Sequence, residues 1–174
     1  MTKPFISIII PVLNEARSIN SVLRHLSSLK TLGGFEVVVA DGSSDGTTLN
    51  AIKPDLHKKI QLKTTLAPKG RGSQMNRGAV LADGEILIFL HADTRISQEA
   101  VTYLQEEVKH NKVIVGGAFD LGIASERWAY RLIEAVVHIR TRLTKIPYGD
   151  QAIFVKRELF QKIGGFKEIP IMED

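Results

Sequence analysis

Short apolar runs rich in β-branched residues alternate with longer amphipathic segments along almost the whole chain. The short runs have the length and composition of buried strands, and the longer segments carry apolar residues at helical spacing. The predicted strands are Phe5–Ile10, Phe35–Ala40, Ile60–Thr64, Glu85–Leu90, Val113–Asp120 and Ala152–Val155. The predicted helices are Glu15–Leu29, Thr47–Leu56, Ser73–Leu81, Glu126–Leu143 and Arg157–Ile163. One more predicted helix is capped by Ser97 and runs to about Lys109. This order predicts an α/β sandwich with helices around a mostly parallel, Rossmann-like central sheet. We expect residues 1–174 to form a single domain, because no linker or repeat divides them.

Composition excludes several classes of site. The chain contains no cysteine, which rules out disulfides, zinc–thiolate sites and thiol nucleophiles. The formal net charge is +4, but the basic residues are scattered without interleaved aromatic residues, so we expect no nucleic-acid partner. The apolar run near the amino terminus is too short to span a bilayer and meets a charged residue too early for a secretory signal. A cytoplasmic protein is therefore expected.

Three polar clusters follow predicted strands at the point where each strand ends. They are Pro11–Glu15 (PVLNE), Asp41–Thr47 (DGSSDGT) and His91–Thr94 (HADT). In an open α/β sheet, ligands bind in the crevice outside the carboxyl ends of the strands. We therefore expect these clusters, although far apart in sequence, to converge on one crevice.

The turn after the first strand argues against two common nucleotide-binding folds. It contains no glycine, since the first glycine of the chain is Gly33. A dinucleotide fingerprint needs glycines there so that the backbone can approach the phosphates, and no P-loop pattern is present. The segment Gly70–Met75 (GRGSQM) resembles such a fingerprint but has Met75 at the third glycine position and follows a different strand. The absence of a glycine-rich turn after the first strand also disfavours a sugar nucleotidyltransferase, which is the alternative enzyme on a similar sheet.

The two acidic clusters each allow a structural and a functional interpretation. DGSSDGT is typical of a turn that ends in a helix cap, but Asp41 is also placed to accept a hydrogen bond from the ring N–H of a nucleotide base. HADT can likewise cap the helix that follows it. The functional interpretation is a metal site. Asp93 follows a very apolar strand, at the mouth of a cleft, and a carboxylate in such a place suits a hard divalent cation that also binds phosphates.

Together these motifs resemble the family-two glycosyltransferases of the GT-A fold, and the resemblance covers essentially the whole chain. PVLNE, DGSSDGT and HAD, which stands in the position of the family's D-x-D, occur in the family's order. KGRGSQMNRGA (Lys69–Ala79) and the terminal MED (Met172–Asp174) are similar to a small bacterial subgroup with a KGRGxQMNxGA-like motif. The resemblance implies sugar transfer from a nucleoside-diphosphate sugar to an acceptor hydroxyl, with manganese or magnesium as cofactor.

The resemblance also implies roles for individual residues. Asp41 would contact the base, and Asn76 would brace the ribose side of the pocket. Asp93 would hold the metal on the diphosphate, and Asp174 would be the catalytic base of a reaction that inverts the anomeric carbon. The other implied donor contacts are Pro11, Asn14, Glu15, Ser43, Lys69 and Arg71, and Gly149–Gln151 (GDQ) would contact the acceptor or the donor sugar.

Two positions depart from the family's pattern. His91 stands where the family has the first aspartate of D-x-D, and it either ligates the metal or packs and contacts the ribose. The family continues well past its E-D motif, whereas this sequence stops at Asp174, so we expect a chain truncated at its carboxyl terminus. Both departures keep another function open, namely a module that binds nucleotide sugars without catalysis.

One predicted helix has an apolar face that could pack inside the protein or contact a partner. In the segment Arg127–Arg142, this face comprises Trp128, Leu132, Val136 and Ile139. Such a face is typical of a helix packed on the sheet or of a contact between two copies of the chain. A peripheral contact with the inner face of a membrane is the alternative, because many of the resembled enzymes act on lipid-linked acceptors. The acceptor is accordingly either a saccharide or a lipid-linked molecule.

Overall fold

The computed structural model describes residues 4–31, 33–111, 113–119 and 152–168. In chain order, the elements are β1 (Ile6–Val12), α1 (Ile19–Ser27), β2 (Phe35–Asp41), α2 (Thr47–Asn50), α3 (Leu56–Lys59), β3 (Gln61–Leu66), α4 (Arg71–Leu81), β4 (Ile86–Phe89), α5 (Gln98–His110), β5 (Gly116–Ala118), β6 (Ile153–Lys156) and α6 (Arg157–Lys162). The predicted helix Glu126–Leu143, the segment Gly149–Gln151 and Asp174 lie outside the described residues.

The six strands of the described residues form one sheet in the order β3-β2-β1-β4-β6-β5. Strands β1 to β4 pair in parallel, whereas β6 runs antiparallel to β4, and β5 runs antiparallel to β6. The predicted α/β fold with a mostly parallel sheet is therefore confirmed. Because β1 lies between β2 and β4, the segments that follow these three strands emerge side by side at the carboxyl edge of the sheet.

Two apolar layers cover the sheet, and successive residues of β1 alternate between them. Ile8 and Ile10 belong to the larger layer, which contains the buried side chains of α1 and α5. Ile9 belongs to the smaller layer, which contains Ala79 of α4 and Phe160 of α6. Strands that are buried on both faces lose their polar alternation and become continuous apolar runs, as the sequence of β1 shows. Within the described ranges, no helix is long and apolar enough to cross a membrane.

The predicted helix Thr47–Leu56 is wrong, because two short helices, α2 and α3, take its place. Pro54 lies between them; a proline has no N–H to donate, and its ring clashes with the preceding helical turn. Helix α1 begins at Ile19 rather than at Glu15, since the carbonyl of Glu15 accepts hydrogen bonds that close a turn before the helix. The predicted Ser97 cap is confirmed, with its hydroxyl accepting from the amide N–H of Ala100 at 3.2 Å.

Helix α4 lies unusually close to its neighbours because two of its residues are glycines. A Cβ atom at Gly78 would lie 2.5 Å from Cγ2 of Ile9 in β1, and one at Gly72 would lie 2.8 Å from the carbonyl oxygen of Lys167. Neither position has room for a larger residue. This close packing brings the first turn of α4, including Arg71, to the carboxyl ends of β1 and β2.

Candidate functional site

A cavity of about 220 Å³ opens at the carboxyl edge of the sheet. The end of β1 contributes Pro11, and the turn after it contributes Glu15. The first turn of α4 contributes Arg71, and the segment after β4 contributes His91 and Asp93. Two carboxylates, an imidazole and a guanidinium therefore face one space, which we call the edge cavity. The predicted convergence of three polar clusters on one crevice is confirmed for the first and third clusters, whereas residues of the second line a different cavity.

A second cavity, of about 570 Å³, is lined by other residues of α4 together with Ser43 and Ser44 of the second polar cluster. Ser43 and Asn76 line this cavity, so the structure separates them from the residues of the edge cavity. Asn14, Asp41 and Lys69 line neither of these two cavities. Five of the ten implied donor and metal residues thus share the edge cavity.

The carboxylate of Asp41 is completely buried and holds its own turn together. Its Oδ1 accepts from the amide N–H of Ser43 at 2.9 Å, and its Oδ2 accepts from the amide N–H of Thr48 at 3.1 Å. In the same turn, hydrogen bonds from the side chain and backbone of Thr47 hold the pKa of Asp45 below its usual value. These contacts are those of the turn-and-cap interpretation, and they make the cluster a rigid end to β2.

The turn after β1 is attached to this cluster through Thr48. The buried Thr48 hydroxyl accepts from the amide N–H of Glu15 at 3.0 Å. Asn14 just before it has a φ of 60°, the left-handed region that asparagine tolerates better than most residues. The hydroxyl of Ser18 donates to the carboxylate of Glu15. Glu15 is therefore held at the edge cavity through its backbone N–H, by Thr48, and through its carboxylate, by Ser18.

The segment after β4 carries the residues in the D-x-D position. Ala92 is buried, with 6% of its surface exposed, and it anchors the segment between His91 and Asp93. Asp93 is exposed, and its Oδ1 accepts from the Thr94 hydroxyl at 3.3 Å. Across the described part of the chain, no group of three or more His, Cys, Asp or Glu side chains could hold a metal ion. Any cation here would have at most two protein ligands among these residues.

Asn76 has a structural partner in the segment after α6. Its carboxamide donates to the carbonyl oxygen of Phe166 and accepts from the amide N–H of Phe166, both at 2.9 Å. Phe166 in turn packs edge-on against Phe89, with ring centroids 4.8 Å apart. In the structure, Asn76 thus joins α4 to the chain that follows α6.

Gln74 is a residue of the edge cavity that the sequence analysis missed. It is buried, with 4% of its surface exposed. It follows Arg71 by three residues, a spacing that places two side chains on the same face of a helix. That spacing could have revealed it, since Arg71 was already expected at the site.

The sequence matches the family described as Glycosyl transferase family 2 over residues 7–167. The match includes all three polar clusters and every strand of the described sheet but the first residue of β1. The chain belongs to glycosyl transferase family 2.

Two relatives illustrate how far similarity to named members of glycosyl transferase family 2 extends. A PGL/p-HBAD biosynthesis glycosyltransferase from Mycobacterium bovis (strain BCG / Pasteur 1173P2) is 32% identical over 185 residues, which cover 95% of this chain and 64% of that protein. A dolichol-phosphate mannosyltransferase from Pyrococcus furiosus is 25% identical over 128 residues, covering 72% of this chain and 36% of the relative. The chain therefore spans less than two thirds of the length of these relatives.

Solved structures show the same fold. The mannosyltransferase PcManGT from Pyrobaculum calidifontis, in complex with GDP-Man and Mn2+, has a TM-score of 0.71 at 24% identity, with 95% of this chain and 48% of that chain covered. S. aureus TarS 1-349 has a TM-score of 0.70 at 19% identity, with 94% and 50% covered. The described residues thus share their fold with these structures, and each of the two solved chains is about twice as long as this chain.

Proposed function

We propose that this chain binds the donor in an enzyme that transfers a sugar from a nucleoside-diphosphate sugar to an acceptor hydroxyl. The observation that carries the proposal is the edge cavity, where Glu15, Asp93 and Arg71 line one space. Carboxylates suit a hard divalent cation, and a guanidinium suits phosphate oxygens. The cavity therefore offers groups of both signs, as a metal–diphosphate pair requires. Membership of glycosyl transferase family 2 and the names of the relatives support the same activity.

The other donor contacts in this proposal come from the family resemblance. Arg71 and Lys69 would approach the phosphates, and Asp41 would accept from the ring N–H of the base. Asp41 is completely buried and lines neither cavity, but each carboxylate oxygen has two acceptor sites, so acceptor capacity remains beyond the two amide N–H groups it already holds. The nucleoside contacts in this proposal are Pro11, Asn14, Glu15, Ser43 and Asn76.

The residues present fit a divalent cation held mainly by its substrate. Magnesium-type sites on phosphate substrates use one or two carboxylates plus phosphate oxygens rather than a complete protein cage. Exposed Asp93 fits that description, and His91 beside it would be the second ligand. When bound, the cation would stabilise negative charge on the departing nucleoside diphosphate. Arg71 would add to this stabilisation from the protein side.

Catalysis is assigned to Asp174 by the family resemblance. Asp174 would take the proton from the acceptor hydroxyl, which attacks the anomeric carbon from the face opposite the leaving group and inverts it. A base of this kind contributes about 100-fold or more. The Asp174→Asn variant should therefore keep donor binding and lose transfer, and normal turnover would remove Asp174 from the mechanism.

The motif KGRGSQMNRGA supports placing the chain in a small bacterial subgroup of the family. Four of its residues have packing functions in the structure: two glycines permit close approach, and two amides tie α4 to other segments. These residues are Gly72, Gln74, Asn76 and Gly78. The motif thus records how α4 packs on the sheet and on the segment after α6. Proteins of the subgroup would share this packing.

Calorimetric titration of UDP and GDP, each with and without manganese, tests the proposed function. The choice of nucleotides follows the neighbouring structures, whose complexes contain UDP-GlcNAc in TarS and GDP-Man in PcManGT. We expect metal-dependent binding of one of the two nucleotides. Binding of neither would contradict the proposal. Binding without sugar transfer to any saccharide or lipid-linked acceptor would favour a non-catalytic nucleotide-sugar-binding module instead.

A further inference from the structure

Gln74 joins the end of β1, which lines the edge cavity, to the end of β2, whose polar cluster lines the second cavity. Its Nε2 donates to the carbonyl oxygen of Val12, the last residue of β1, and to the carbonyl oxygen of Ala40 in β2 at 3.2 Å. The side chain is 96% buried, since 4% of its surface is exposed. A single carboxamide therefore spans the two strands from the helix that packs on them.

Gly42 makes room for this carboxamide. A Cβ atom at Gly42 would lie 2.9 Å from Cδ and 3.0 Å from Nε2 of Gln74. The amide N–H of Gly42 also donates to the carbonyl oxygen of Val12 at 2.9 Å. The Val12 carbonyl thus accepts from both Gly42 and Gln74, and any side chain at position 42 would push the carboxamide away.

The two strand ends joined in this way lead directly into the residues assigned to the donor. Val12 precedes the turn that presents Glu15, and Ala40 precedes Asp41. Gln74 itself lines the edge cavity beside Arg71. Gln74 therefore acts together with the Glu15–Thr48 and Gly42–Val12 hydrogen bonds in setting the separation of the two turns, and it is the one of these contacts that comes from α4 beside Arg71.

We propose that Gln74 is a positioning residue of the donor pocket, which holds the turn after β1 and the turn after β2 at the spacing that the nucleoside requires. This inference rests on the proposed function. A carboxamide is suited to the task because its NH₂ group has two donors, one for each strand end. Methionine has a similar length but offers no donor, so Gln74→Met removes the bridge while largely retaining the volume of the side chain.

The first test compares Gln74→Met with the wild-type chain in nucleotide titrations with manganese. We expect about 10-fold weaker binding of whichever of UDP and GDP the wild type binds, as the loss of buried hydrogen bonds predicts. The control is Val108→Ala at the far end of α5, where a buried core residue is truncated away from the edge cavity. It should lower the melting temperature yet leave nucleotide affinity within about twofold. Equal affinity losses in both variants would reduce Gln74 to a stability role and overturn the proposal.

Hydrogen exchange of the nucleotide-free protein gives a readout that does not depend on the proposed function. In Gln74→Met, the amides of Glu15 and Gly42 should exchange about 10-fold faster, because their turns are no longer held. Unchanged exchange at both amides would overturn the inference. If the wild type binds neither nucleotide while these amides still exchange faster, the donor function fails and the positioning of the turns stands.

A double-mutant cycle tests the pairing of Gly42 with Gln74. Gly42→Ala should weaken nucleotide binding about 10-fold in the wild-type background, but only about twofold in a Gln74→Ala background, since the shortened side chain leaves space for the new methyl group. Equal penalties in the two backgrounds would show that the residues act independently, which contradicts the proposal.

Discussion

Strand β2 carries a completely buried carboxylate near each end, and the two ends are built differently. At the amino end, Glu36 accepts from the Ser7 hydroxyl at 2.6 Å and forms an ion pair with Lys63 at 2.7 Å. Lys63 also pairs with Asp83 at 2.6 Å. At the carboxyl end, Asp41 accepts from backbone N–H groups of its own turn.

The two carboxylates thus lie in different environments, and we call the surroundings of Glu36 the closed edge and those of the edge cavity the binding edge. At the amino end, the Ser7 hydroxyl, the Lys63 ammonium and the amide N–H of Asp83 all contact Glu36, and Lys63 also pairs with the Asp83 carboxylate. At the carboxyl end, the backbone satisfies the buried carboxylate, so that the charged side chains of Glu15, Arg71 and Asp93 face the edge cavity instead. Charge at the amino end contributes to stability, whereas charge at the carboxyl end is available to a ligand.

The largest effect is expected from Asp93, the exposed carboxylate of the binding edge. Asp93→Ala should abolish metal-dependent nucleotide binding and lower transfer by about 100-fold or more, because the cation loses its carboxylate. The melting temperature should not change. Calorimetry with and without manganese measures the first effect, and Asp55→Ala, another exposed carboxylate, is the matched control. Unchanged metal-dependent affinity would remove Asp93 from the metal site.

The second prediction concerns the closed edge. Lys63→Met leaves Glu36 buried without its cation and should lower the free energy of unfolding by about 3 kcal/mol, as removal of one partner from a buried pair does. Nucleotide affinity should stay unchanged. Lys59→Met is the control, because its ion pair with Asp55 is exposed and should contribute about 0.5 kcal/mol. If urea denaturation finds that Lys63→Met and Lys59→Met lower the free energy of unfolding equally, the Glu36 ion pair contributes no more than an exposed one, which contradicts the prediction.

The third prediction compares the two carboxylates of β2 directly. Asp41→Ala should weaken nucleotide binding by about 1–3 kcal/mol, since a ring N–H would lose its buried partner, and it should also destabilise the turn. Glu36→Gln should lower the free energy of unfolding by about 1–3 kcal/mol without changing nucleotide affinity. If Asp41→Ala binds nucleotide as tightly as the wild type, Asp41 acts only in the turn and cap.

The smallest effect is a pH dependence at the closed edge. Burial lowers the pKa of Lys63, but hydrogen bonds to Asp83 and Glu36 outweigh it, so that the pKa lies above its usual value of 10.5. A raised pKa means that the Lys63 contribution to stability is fully present below about pH 10.5 and is lost as the pH rises through the folded-state pKa. The stability difference between the wild type and Lys63→Met should therefore shrink above that pH. If the stability difference stays constant above that pH, the pKa of Lys63 is not raised by folding.

Much of the fold was readable from local patterns. Apolar runs identified the strands, helical spacing identified α1, α4 and α5, and the order of elements indicated the mostly parallel sheet. The break at Pro54 was also present in the sequence, although the predicted helix ran through it. The convergence of PVLNE and HADT followed from topology alone, because the carboxyl ends of parallel strands share one edge.

By itself, the sequence determined the alternation of strands and helices, the polar turns at the carboxyl edge and the charged residues available there. Only the tertiary structure decided which polar groups face a cavity and which are satisfied inside the protein. It joined Glu36 to Lys63 and Asp83, and Gln74 to Val12 and Ala40. The physical reason is that periodicity records which face of an element is buried, whereas a buried hydrogen bond between distant segments depends on distances that only packing sets.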